Sequence, residues 1–374
     1  MSSPRTSCST TSAAKLSAPA LLDPDGPGLI RRFLLPGLFV IALFVALWMR
    51  RPDAASTDAN DWVLQGEAFG TVYTVKVLLD TDITVDKATL QSALTDIVER
   101  VDASMSTYQS DSELSKLNQN PSTDPVPVSP DLNQVLQTSL AVYQLSGGAF
   151  DVTIGPVINA WGFGPEKHVE PPSPAILDPA RQRVGSDKLT LDSEAGTLQR
   201  ARPDLYIDLS AIAKGYAVDE MGRMLEAQGF ANYLVEVGGE VRARGKNAEG
   251  QSWRLGIVRP TPGGGQIPEL VVPLEQLSMA TSGNYRNYIL HNEEVVSHAM
   301  DGRTGQPVKH GLASVSVLHA DCMLADAWAT ALYVLGVEEG LPLAEQQKLA
   351  VLFLTPDGDT FTRQSSSSFP DALD

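Results

Sequence analysis

Between Phe33 and Met49 the chain runs for 17 residues, FLLPGLFVIALFVALWM, without a charge, and Arg31-Arg32 and Arg50-Arg51 close it at either end. As a helix this run spans roughly 25 Å at about 1.5 Å per residue, near the short end of what crosses a bilayer's hydrocarbon core. It is apolar all round, whereas a helix resting on a globular core keeps one polar face. The run therefore predicts a single-pass membrane segment over residues 31–51. A cleavable signal peptide is the rival reading, because its apolar region is also short. Trp48-Met49-Arg50-Arg51 follows directly, however, and offers no adjacent A-x-A-like small-residue site, so an uncleaved anchor is the reading taken. With two arginines on each flank, the positive-inside rule leaves the orientation open.

The anchor divides the chain. Residues 1–30 are rich in Ser, Thr, Ala and Pro with no apolar period, and are expected to form a disordered tail. Residues 52–61 read as a linker, residues 62–360 as one large folded domain, and residues 361–374, which include Ser365 to Ser368, as a second tail. With 43% hydrophobic residues the chain can bury a substantial core. Its formal charge of -17 excludes a sequence-independent nucleic-acid surface, which needs a basic face. The two cysteines, Cys8 and Cys322, lie on opposite sides of the apolar run and supply no disulfide framework.

Within the domain, Thr71 to Leu79 alternates and is β-branched, which predicts a strand. Leu90, Leu94, Ile97, Val98, Val101 and Met105 fall at helical spacing. A second helix is expected from Pro130, after Ser129, to the stop at Gly147-Gly148. A third follows Ser210 and ends at Gly229. Tyr233 to Gly245 reads as two strands around Gly238-Gly239, and further strands are expected at 254–258, 295–300 and 313–318. A helix from Leu324 to Leu335 should stop at Gly336. Strands outnumber crossover helices, so the fold class is α+β, with mixed, mainly antiparallel strands and flanking helices. Gly263-Gly264-Gly265 lacks the setting and lysine of a phosphate-binding loop.

Four segments carry more chemistry than a plain core requires, and each has a duller counterpart. Gly147 to Asp151, with Trp161-Gly-Phe-Gly-Pro165 beyond it, can fold over a planar ligand or be a glycine-rich turn with core aromatics. Tyr206 to Gly215 brings Asp208 and Lys214 to a helix mouth, which suits the phosphates of a nucleotide but also describes a cap and a solvated lysine. Ala280 to Asn287 and Ser297 to Gly305 place His298 near Asp301, where a histidine can act as a general base or hold a turn. In Ala325 to Thr330, Asp326 and Thr330 share a helix face at i and i+4. Two hard oxygen ligands suit magnesium, although an acid near a helix start also favours the helix dipole.

Together and in this order, GGAFDVTIGPVINAWGFGP, IDLSAIAKGYAVD, VEVGGEVRARG, ATSGNYRNY, SHAMDGRTGQP and ADAWATALYVLG resemble the ApbE family of FAD:protein FMN transferases, from about Gly66 to about Leu354. The resemblance implies an FAD site formed by Phe69, Tyr108, Ala149, Phe150, Asp151, Asp208, Lys214 and Met300. It further implies Mg2+ held by the backbone carbonyl of Ala211 and the side chains of Asp326 and Thr330. Phe69 stands where relatives often carry methionine, Ala329 where some carry another acid, and Gly302 where proline is common.

The reaction so implied is attack by a Thr or Ser hydroxyl of a target protein on the FMN-side phosphorus of FAD, releasing AMP, with His298 as the candidate base. A magnesium-dependent FAD pyrophosphatase and a non-catalytic flavin-binding membrane protein are the alternatives. The resemblance also suggests acceptors among membrane electron-transfer subunits or other flavinylated exported proteins, and hence a catalytic domain on the periplasmic side of a bacterial inner membrane.

Overall fold

The structure, a computed structural model, describes residues 61–80, 83–163, 170–259, 267–283, 288–291, 294–358 and 360–370. The expected N-terminal tail, the membrane segment and the linker up to Asn60 lie outside the described residues, as do Gly263 to Gly265 and Asn284 to Asn287. Among the described residues no helix is long and apolar enough to cross a membrane.

Eight strands form the central sheet: β1 (Asp61–Ala68), β2 (Thr71–Leu78), β3 (Tyr233–Val237), β4 (Glu240–Arg244), β5 (Leu277–Gly283), β6 (Ser314–His319), β7 (Ala350–Asp357) and β8 (Thr360–Ser365). They lie side by side in chain order, and every neighbouring pair is antiparallel. The α+β expectation therefore holds with a simpler sheet than a mixed one. Helices enter between strands as insertions: α1 (Lys87–Met105), α2 (Pro130–Leu145) and α3 (Ala213–Ala227) between β2 and β3, and α4 (Cys322–Gln347) between β6 and β7.

The strand period of two gives each face of the sheet its own core. Val75, Val235, Val315, Val317, Val351 and Phe353 point into the large cluster shared with the helices. Their sequence neighbours Leu318, Leu352 and Leu354, together with Val241, point the other way, onto the ribbon Trp253–Val258 and Pro268–Leu274. Burial on both faces explains why β7 opens as a continuous apolar run, AVLFL, rather than as an alternating one. The helices begin where their caps dictate. In α2 the Ser129 hydroxyl accepts from the Leu132 amide and Pro130 fills the first turn, while Gly147 and Gly148 end the helix at φ 62° and 88°.

Three expectations need correction. The folded domain starts at Asp61, which pairs with Leu78 across the first hairpin. Residues 361–370 are not a tail: β8 pairs with β7, and Ser366 is buried, donating its hydroxyl to the Leu349 carbonyl at 2.6 Å and accepting from the Val351 amide at 2.9 Å. The serine run disguised an ordered end of the chain: the strand stops at Ser365, the Ser366 hydroxyl bonds backbone and that of Ser367 donates to the Glu345 carboxylate. Finally, Gly336 is a kink and not a stop. At φ 69° and ψ -175° it breaks the helix, which then resumes to Gln347. The His310 ring fills the break, with Nε2 2.6 Å from the carbonyl of Tyr333. That contact serves a carbonyl near the interrupted helical ladder.

Candidate active site

At the amino ends of α3 and α4 two helices cross close enough to exchange carboxylates. Asp326, one turn into α4, accepts through Oδ2 from the amide of Gly215 at 3.1 Å. Asp219, one turn into α3, accepts from the first amides of α4, Cys322 at 3.0 Å and Met323 at 2.9 Å. Each helix thus supplies the acid that satisfies the other's free amides and complements its dipole. The contact requires glycine at 215, since a Cβ there would lie 2.5 Å from the Cys322 carbonyl oxygen. Asp219 is 1% exposed and is compensated by Arg242 Nη1 at 2.7 Å.

This crossing sets the floor of a cavity of about 430 Å3 whose wall includes Ala149, Phe150, Asp151, Asp208, Ala211, Lys214, His298, Met300, Asp326 and Thr330. A second cavity, of about 610 Å3, meets the first at Asp208, Ser210 and Lys214 and carries Phe69 and Tyr108. All the expected site residues therefore border one two-lobed space. Asp326 and Thr330 share a face of α4 as their spacing requires, and the Thr330 hydroxyl lies 3.2 Å from that of Ser282 on β5.

The side chains differ in what they are free to do. Asp151 receives three bonds on Oδ1, from the Thr153 amide (2.8 Å), the Thr153 hydroxyl (2.7 Å) and the Ser186 hydroxyl (2.6 Å), so it also braces the loop that follows α2. Asp208 accepts only from the amide of Ser210, at 2.9 Å, among its described hydrogen bonds, and its own amide donates to Val152. Phe69 occupies the two-residue turn between β1 and β2 at φ 51°, followed by Gly70 at φ 75°. A bulky residue in the left-handed region costs about 1–2 kcal/mol, which places backbone strain at the rim of the second lobe. Tyr108 is almost fully exposed. His298 packs at 6.3 Å from the ring of Phe163. The turn at Asp301 is held by Arg303, whose amide and guanidinium both donate to the Asp301 carboxylate. At Gly302, a Cβ would meet its nearest neighbour at an ordinary 3.4 Å, so glycine is not sterically required there.

Lys214 lies between two acids, with Nζ 3.2 Å from Glu240 Oε1 and 3.6 Å from Asp326 Oδ2. Burial opposes its charge, but Asp326 and Glu240 outweigh that and raise the ammonium above the ordinary lysine range. Burial, reinforced by the charge of Asp326 and opposed by Lys214, pushes the Glu240 carboxyl up to about 8.

A model of the ApbE family matches residues 69–353. The chain belongs to the ApbE family. A relative named FAD:protein FMN transferase from Haemophilus influenzae is 41% identical over 340 residues, covering 90% of this chain and 97% of its own. Its counterpart in Escherichia coli K12, of the same name, is 36% identical over 346 residues, covering 91% and 97%. Among solved structures, the flavin transferase ApbE from Vibrio cholerae superposes with a TM-score of 0.76 at 39% identity, over 83% of this chain and 98% of that one. The apo flavinyl transferase ApbE of Pseudomonas stutzeri gives 0.75 at 35%, over 83% and 96%.

Two cavity residues of this ApbE chain escaped the sequence reading. Glu240 lies inside the phrase VEVGGEVRARG, and its signal was a charge directly after the Gly238-Gly239 turn, at a position that β4 buries to 5% exposure. Ser282 lies within the segment Ala280 to Asn287 singled out above, but its hydroxyl was not picked out there, because a serine near a strand end is ordinary. Ala329 is fully buried in α4, where it contributes packing.

Proposed function

We propose that this ApbE chain transfers FMN from FAD to a Thr or Ser hydroxyl of a target protein, forming a phosphoester and releasing AMP, in a magnesium-dependent reaction. The observation that carries this reading is the convergence of Asp208, Lys214, His298, Asp326 and Thr330 on one cavity, which meets the second at Asp208 and Lys214, in a chain aligned almost end to end with FAD:protein FMN transferases.

The residues present fit a divalent cation. Asp326 offers a buried carboxylate, Thr330 and Ser282 offer hydroxyls 3.2 Å apart, and Glu240 Oε2 is buried with no hydrogen-bond partner among the described residues. Four acids, Asp151, Asp208, Glu240 and Asp326, face this cavity against a single lysine, so a pyrophosphate meets net repulsion unless a cation joins it. Asp326, Thr330 and the Ala211 carbonyl would hold that cation. When bound, it supplies charge stabilisation to the pyrophosphate oxygens and the departing phosphate.

The protein's own groups account for the rest. Phe69 and Tyr108 offer aromatic surface to the planar end of FAD in one lobe, with Phe150 and Met300 lining the other. Lys214 sets a positive charge at the junction, where the phosphates cross between lobes. His298, on the wall of the first lobe, accepts the proton of the incoming hydroxyl as it attacks the FMN-side phosphorus, so that the O–P bond forms as the bond to AMP breaks. Binding both partners in one orientation converts the transfer into a step within a complex.

The acceptor is a protein of a membrane electron-transfer assembly, and residues 31–51 tether the catalytic domain on the periplasmic face of the inner membrane. The charge-free run from Phe33 to Met49 supports the tether. Incubating the full chain with FAD and an acceptor protein tests the reaction: AMP should accumulate only with magnesium present, and Asp326→Asn should suppress it. AMP formation unaffected by chelation would refute the cation's part.

A further inference from the structure

Two acids from different elements hold one lysine. Lys214 Nζ is 3.2 Å from Glu240 at the start of β4 and 3.6 Å from Asp326 in α4. Asp326 is the acid assigned above to the divalent cation, so ammonium and cation both draw on one carboxylate. Oδ2 of that carboxylate already accepts from the amide of Gly215. Two positive charges about 4 Å apart repel each other in a partly desolvated site, so both remain only if the ammonium has an acceptor oxygen other than Asp326's.

Glu240 is built to give that support. It is 5% exposed, it faces the same cavity, and Oε2 has no partner among the described residues although Oε1 is engaged with Lys214. The turn that carries it lies against the lysine stem, for a Cβ on Gly238 would stand 3.5 Å from Lys214 Cδ and 2.8 Å from Thr71 Cγ2. Gly238 and Gly239, at φ 60° and 110°, let the backbone come this close and start β4 with its first carboxylate beside the ammonium.

We propose that Glu240 is a positioning residue that takes over Lys214 when a divalent cation occupies Asp326, so that lysine and cation occupy the site together instead of competing for one carboxylate. The inference rests on the cation reading of the previous subsection. No covalent bond changes in this step; the ammonium shifts its weight from one acid to the other while the cation takes the vacated share of Asp326. Its benefit is to leave two positive groups available to one pyrophosphate.

The test is a titration of the full chain with magnesium alone, followed by calorimetry without FAD, for the wild type, E240A, K214M and the double variant. Losing Glu240 should weaken magnesium binding by about tenfold, the value of one bond to a charged group. E240Q, which keeps an acceptor oxygen for the ammonium, should recover part of that loss. In the K214M background, adding E240A should cause no further weakening, because the effect runs through the lysine. Unchanged magnesium affinity in E240A would overturn the proposal, and so would an equal loss with and without Lys214, which would make Glu240 a direct ligand or a plain structural group. Should E240A fail to fold, E240Q with and without K214M decides by the same comparison. A wild type that binds no magnesium would refute the cation reading itself, a result distinct from binding that ignores Glu240.

Discussion

Gly215→Ala sets two physical effects against each other at the centre of the site. Helix propensity alone favours alanine by up to about 1 kcal/mol. The structure opposes it: a Cβ at 215 would stand 2.5 Å from the Cys322 carbonyl oxygen and 2.8 Å from Met323 Cα, whereas ordinary contact begins at 3.4 Å. Both neighbours are backbone, so no side chain can swing aside, and the two helices must separate by up to about 1 Å. Overpacking of this kind costs about 1–3 kcal/mol, which outweighs the propensity gain and leaves the variant less stable by about 0–2 kcal/mol. The separation also acts where it matters chemically, because it lengthens the bond from the Gly215 amide to Asp326 and shifts Lys214, one residue away. A displacement near 1 Å at a reacting centre can lower the rate by about a hundredfold. Urea denaturation measures the first quantity and AMP release from FAD at saturating magnesium the second. A Gly215→Ala protein that is more stable than the wild type and turns over at the wild-type rate would refute the close-crossing account of the site.

Other variants separate the roles of individual groups. His298→Ala should slow transfer by about 10²–10⁴-fold while leaving FAD affinity, read by flavin fluorescence, nearly unchanged; full activity would remove the histidine from proton transfer. Asp219→Asn should destabilise the protein by about 3 kcal/mol in urea, since Arg242 then loses its buried partner and the first amides of α4 lose a charged acceptor. For Glu240, burial raises the carboxyl from 4.5 to about 8, so the folded state binds this proton more tightly than the unfolded chain does. Its contribution is full below about pH 4.5 and is lost as pH rises through about 8. The melting temperature of Glu240→Gln should therefore gain on that of the wild type across this window, and a constant difference would contradict the assignment.

Local signals marked out much of this fold. Ser129 and Pro130 at one end and Gly147-Gly148 at the other bounded α2, and Gly238-Gly239 announced the β3–β4 hairpin. What escaped depended on contacts distant in sequence. β1 was missed because Gly66 breaks its pattern, yet Tyr73 on β2 fills the space where a Cβ would be, at 2.5 Å. β8 was hidden by its polar residues and the serine run that follows it, and the continuation of α4 by Gly336, whose break is occupied by His310 from another segment. At the site, motif order identified the residues but not their division of labour. No spacing rule shows that Asp326 meets the Gly215 amide across 111 positions, or that Glu240 shares Lys214 with it.

Covalent transfer is the central claim, and intact-mass analysis of a denatured acceptor protein tests it most directly. After incubation with the full chain, FAD and magnesium, the acceptor should gain the mass of one FMN on a single Thr or Ser, with one AMP released per adduct. AMP and free FMN in equal amounts with no adduct on the acceptor would contradict it and make the reaction a hydrolysis.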